Sequence, residues 1–171
     1  MEIIISHSKS NVSVAITVIL LRLCVFVKKN GAMCVTMNSG ADDCRRGVFM
    51  KKILFYTDVL PFLSRDIDAI NKLKRNLEIF KTASENLRLV WHPWVGTEEY
   101  LKINRSKVSG DYKRIVERFC QEGWGEFDAS DTYQKARDVL FECDAYYGDP
   151  SDLAYEAQAA KMPVMLQNID I

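Results

Sequence analysis

The chain has 171 residues, 48% hydrophobic and 27% charged, with Lys plus Arg equal to Asp plus Glu at 23 each. That length suits one domain with a short appendage, and such a domain buries a core without covalent staples. A net charge of zero excludes a global field that would recruit nucleic acid or an anionic membrane. The five cysteines, Cys24, Cys34, Cys44, Cys120 and Cys143, are odd in number and show no CxxC spacing. They argue against a zinc site and a disulfide framework, and they fit a reducing cytoplasm.

Residues 1–49 differ in character from the rest of the chain. Val12 to Val27 is an apolar run interrupted by Arg22 and succeeded by Lys28 and Lys29. It is short for a membrane span, carries a costly arginine, and has its positive charge on the wrong side for a signal peptide. It is read as β-rich or poorly ordered packing, a membrane anchor, or an extension foreign to the domain. Asn30 to Gly47 has no clear period and reads as a linker. Met50-Lys51-Lys52 then opens what reads as a fresh domain over residues 50–171.

Ile53 to Tyr56 is a continuous apolar run, the pattern of a parallel strand buried on both faces. Thr57 to Arg65 reads as a loop holding Pro61. Asp66 or Asp68 is expected to cap a helix whose Ile70, Leu73, Leu77 and Phe80 share one face. Leu87 to Trp91 is a second strand, ending at His92-Pro93 because proline stops the ladder. Glu98 to Cys120 is helical, with a break expected at Ser109-Gly110. Gly123 to Phe127 holds a short strand, and Ser130 or Asp131 is expected to cap a helix carrying Ala136, Val139, Leu140 and Cys143. Ala145 to Tyr147, Ser151 to Ala160 and Pro163 to Gln167 complete the pattern as strand, helix and strand. This alternation predicts an α/β fold, a Rossmann-like three-layer arrangement around a mainly parallel sheet.

Several stretches carry a resemblance. They are Val90-Trp91-His92-Pro93, Tyr112 to Val116, Glu122 to Gly125, Asp144 to Asp149 and Pro163 to Asn168. In order and spacing, residues 50–171 resemble proteins of the CDP-glycerol glycerophosphotransferase (teichoic-acid polymerase-like) family, and residues 1–49 take no part. The resemblance implies the C-terminal, donor-binding domain of a GT-B architecture, preceded here by a non-homologous N-terminal extension. It implies a CDP-linked small-molecule donor, a separate acceptor domain, no further cofactor and no metal. It also implies a cytoplasmic location at the inner face of the cell membrane, with peripheral membrane association and no nucleic-acid partner. The chain departs from the pattern in two places. Trp91 runs directly into His92, where relatives carry an arginine and a proline between the tryptophan and the His-Pro pair. Relatives carry two hydroxyl residues after the Gly-Asp turn, where this chain has Pro150, Ser151 and Asp152, and the Asp152 carboxylate would repel a diphosphate.

Among the candidate site residues, His92 sits at a strand's carboxyl end, and its near-neutral pKa suits an acid/base or phosphate contact. The resemblance implies that role, while the residues alone equally allow a loop histidine bonded to backbone. Gly148 and Ser151 are the phosphate-cradle candidates, because glycine lets backbone approach a ligand and a helix start offers amides. Turn and cap chemistry requires the same residue types. Asp149, held extended by Pro150, faces the cleft or caps the helix. The resemblance implies that Glu156 holds ribose hydroxyls, while the residues alone equally allow a solvated helix face. Thr57 and Asp58 read as turn residues, Trp91, Trp94 and Trp124 as core or cleft wall, and Asp128 and Asp131 as helix caps. The competing readings are a non-catalytic nucleotide-binding remnant and a flavodoxin-like interaction domain.

Overall fold

An apolar run without polar alternation is stable as a strand when both faces of its sheet are covered. The computed structural model, which describes Ile4–Ile5 and residues 50–167, shows this arrangement. The strands are β1 (Ile4–Ile5), β2 (Lys51–Thr57), β3 (Leu87–Pro93), β4 (Glu126–Phe127), β5 (Ala145–Gly148) and β6 (Val164–Leu166). The helices are α1 (Leu60–Arg65), α2 (Ile67–Thr82), α3 (Thr97–Asn104), α4 (Ser106–Glu122), α5 (Tyr133–Phe141) and α6 (Asp152–Ala159). Among the described residues the strands form one sheet in the order β1-β6-β5-β2-β3-β4, with every pairing parallel. With β2 counted first, the five strands from β2 to β6 take the order 3-2-1-4-5, the first five strands of the doubly wound Rossmann-like order.

Successive side chains of a strand point to opposite faces, which divides the core in two. On one face Phe55 packs against Phe80 at 5.7 Å and Tyr147 at 5.4 Å between ring centroids. On the same face Trp91 meets Phe119 and Phe127 edge-on, each at 5.3 Å. Phe80 and Phe119 belong to α2 and α4, so these two helices form that layer. On the other face Leu54, Tyr56, Val90 and Tyr146 pack with Ala136 and Leu140 of α5 and Leu153, Ala154 and Ala157 of α6. The layering expected from the alternation is therefore present.

Several boundaries differ from expectation. Thr57 to Arg65 is not all loop: Pro61 lies in the first turn of α1, where a missing N–H costs nothing. Asp66 precedes α2 with φ 44° and makes no capping bond. The break in the long helical stretch falls at Asn104-Arg105 rather than Ser109-Gly110. Gly110 lies inside α4, and that helix ends at Gly123 in the left-handed conformation. Thr132, not Ser130 or Asp131, caps α5, its hydroxyl accepting from the Lys135 N–H at 3.4 Å. Ile4 and Ile5 pair with Met165 and Leu166 at the sheet's edge. The apolar run Val12–Val27 and the linker reading lie outside the described residues. Among the described residues no helix is long and apolar enough to cross a membrane.

Candidate functional site

In a sheet of this order the chain leaves the central strand in one direction and later crosses to its other side. The crevice at the carboxyl ends of the strands flanking that reversal is the usual ligand site. Here those ends belong to β2 and β5, and they meet closely. Gly148 has φ +149°, and a Cβ there would fall 2.1 Å from the Tyr56 carbonyl oxygen. Strand-to-strand contact thus accounts for the glycine without any ligand. The Asp149 N–H donates to the Tyr56 carbonyl at 3.1 Å, and the Asp58 N–H donates to Asp149 Oδ2 at 2.8 Å. Asp149 is buried, and burial pushes its carboxyl up to about 6, against the pull of the Asp58 amide and Lys72. The Asp58 amide at the crevice is therefore occupied by the protein's own carboxylate. Asp58 behaves as a turn residue, its Oδ1 accepting from the Leu60 N–H at 2.8 Å.

Beside this junction, on the α5/α6 face, lies an open cleft of about 260 Å³ whose lining includes Tyr56, His92, Thr132, Tyr133, Ser151 and Asp152. His92 reaches it because it stands two residues beyond Val90 on β3 and so shares that face. Ser151 reaches it as the N-cap of α6, its Oγ accepting from the Ala154 N–H at 3.3 Å. The Tyr146 hydroxyl donates to the Asp149 carbonyl, so the Ser151 hydroxyl, 2.9 Å away, must donate to Tyr146. The serine's proton is thus already engaged.

His92 is 4% exposed, and its Nδ1 lies 2.9 Å from Asp128 Oδ2. The approach is too bent for an aligned hydrogen bond, and among the described residues neither atom has another partner. Burial lowers the pKa of the ring, and the Asp128 carboxylate opposes that shift. Among the described residues no lysine or arginine lines the cleft, whereas Asp152 does. Burial, and after it the carboxylates of Asp58, Asp149 and Asp152, pushes the Tyr56 phenol upward. Glu156 lines an adjoining depression with Tyr133, Asp152 and Tyr155. Its carboxylate accepts from the Tyr133 hydroxyl at 3.2 Å and lies 3.4 Å from Arg137 Nε.

The fold thus brings His92 and Ser151 to one cleft and sets Glu156 on its outer flank, while Gly148 and Asp149 lie in the junction beneath. Asp149 does not cap α6, because Ser151 does. Trp91 is fully buried in the core and Trp94 stands in the cleft wall. Sequence reasoning missed Asp128 as the neighbour of His92, along with Tyr56 and Tyr133. No local sequence signal marked Asp128: the strand register places it, since Trp91 pairs with Phe127 and the next step sets His92 beside Asp128. A larger hollow of about 390 Å³ lies between α2 and α4, but its Arg118 and Lys81 are paired with Glu122, and Arg118 also with Glu78. Among the described residues no group of three or more His, Cys, Asp and Glu side chains is placed to hold a metal ion.

Compared with family models, curated proteins and solved structures, the chain has no match in any of the three.

Proposed function

We propose that this chain is the donor-nucleotide-binding half of a CDP-glycerol glycerophosphotransferase-like transferase of GT-B type, acting in teichoic-acid-type polymer synthesis. The supporting observation is the convergence of His92 and the α6 cap Ser151 on one cleft at the carboxyl ends of the strands. In the reaction an acceptor hydroxyl attacks the donor's β-phosphate, the bond from that phosphorus to the CMP oxygen breaks, and CMP leaves. The protein's share is positioning and charge stabilisation. His92 serves as base or phosphate contact, Ser151 contacts phosphate by exchanging its bond to Tyr146, and Glu156 faces the ribose. The acceptor side is supplied by a separate domain.

A second reading has its own observation. Among the described residues the cleft lining holds a carboxylate and no cation, which favours a nucleotide-binding remnant without transfer activity. Titration of CDP-glycerol, CDP and CMP into the full chain by calorimetry tests both. Binding with a dissociation constant on the order of 1 mM or tighter is expected, weakened about tenfold by His92→Ala or Ser151→Ala. Absence of heat at millimolar ligand would remove the transferase reading. Binding untouched by either variant would move the site elsewhere, and binding without CMP release alongside an acceptor domain would leave the remnant.

A further inference from the structure

We propose that Asp128 is a positioning residue for His92, fixing the ring as the Nδ1–H tautomer so that Nε2 faces the cleft as a proton acceptor. Two buried atoms with lone pairs, His92 Nδ1 and Asp128 Oδ2, stand 2.9 Å apart. That gap holds no water, and two acceptors that close repel unless a proton lies between them. Imidazole is the stronger base of the two, so the proton belongs on Nδ1 and the carboxylate accepts the hydrogen bond.

The carboxylate is itself held. Asp128 Oδ1 accepts from the Ser130 N–H at 3.0 Å and from the Ser130 hydroxyl at 2.6 Å. The Asp128 N–H donates to the Trp91 carbonyl at 2.9 Å, extending the β3–β4 ladder by one step. With Oδ1 committed to Ser130, Oδ2 is directed at His92. Of the two ring nitrogens Nδ1 is sealed from solvent and without an aligned partner among the described residues, so Nε2 is the nitrogen presented to the cleft. The other titratable groups around the ring are Tyr56 on β2, at 5.8 Å between ring centroids, Tyr133 on α5 and Asp152 at the start of α6. None of them is placed to hold Nδ1.

This inference deepens the proposed transferase reading, in which Nε2 takes the acceptor hydroxyl's proton, but its test needs no nucleotide. The full chain, labelled with 15N, has two histidines, His7 and His92, and His92→Gln identifies the second in the spectrum. At neutral pH the His92 ring is expected as the Nδ1–H tautomer. Asp128→Ala should turn it into a tautomer mixture. Asp128→Asn, nearly isosteric, should lower its titration midpoint by about one pH unit through loss of the carboxylate charge. A wild-type ring protonated on Nε2 would overturn the proposal without any variant. So would an Asp128→Ala chain, with its amide spectrum otherwise intact, that keeps the wild-type tautomer. If the tautomer is as stated and CDP fails to bind, the transferase reading falls and the His92–Asp128 pair stands.

Discussion

Gly148 and Asp149 are adjacent, yet opposite physics fixes them. Gly148 is required by space: any side chain would enter the backbone of β2 at Tyr56, in a conformation L residues rarely adopt. Gly148→Ala should cost about 3 kcal/mol or more, from backbone strain plus steric overlap, measured by urea unfolding. Asp149 is instead held at an electrostatic cost. Its folded pKa of about 6 lies above the ordinary 3.8, so between those values the folded chain binds the proton more tightly than the unfolded one. Stability derived from this group is therefore present at low pH and lost as pH rises through 6. Relative to Asp149→Asn, which carries no such charge, the wild type should lose about 2 kcal/mol between pH 4 and pH 7. Parallel unfolding curves for the two chains across that range would show that the carboxylate is not desolvated.

At the scale of elements, the strands and their parallel arrangement were legible because short apolar runs such as Ile53 to Tyr56 alternate with helical patterns, whereas the order of the strands in the sheet came only from the structure. The helix limits were less legible. Gly110 looked like a breaker, but its site on α4 has open space around it, and the turn came instead at Asn104-Arg105. Pro61 looked like a loop residue because a proline's missing N–H matters only beyond the first helical turn, and sequence alone does not say where that turn starts. For the site, Ser151 was legible as a cap and His92 as a strand-end residue. Asp128 was not, because its role depends on pairing between β3 and β4, a contact that local pattern does not encode. The element that holds this arrangement is β3, whose Trp91 touches rings from β2, β4 and α4 and donates to the Thr57 hydroxyl at 3.0 Å. Trp91→Ala should destabilise the chain by about 3–5 kcal/mol, read from the shift of the denaturation midpoint. A cost below about 1 kcal/mol would mean that this cluster contributes little.

At the scale of the whole molecule, the two faces of the sheet have separate duties. The α2/α4 face is an aromatic core built on Phe55, Phe80, Trp91, Phe119 and Tyr147. The α5/α6 face is also packed, but toward the carboxyl ends of the strands it opens into the cleft that holds His92 and Ser151. Among the described residues its lining holds the Asp152 carboxylate and no lysine or arginine, so a phosphorylated ligand would owe its affinity to directional hydrogen bonds more than to charge attraction. The alternation along β3 adds a constraint of parity. Trp91 faces the aromatic core and His92 the cleft only because an even number of steps separates Leu89 from Trp91 and Val90 from His92. Removing one residue just before His92 while the rest of the strand kept its pairing would put a proline at the histidine's place and leave the cleft without its imidazole. A shift of the whole strand by one would send the indole toward Ser151 and the imidazole among Phe119 and Tyr112. The cleft's chemistry therefore rests on an odd-or-even count as much as on which residues the chain contains.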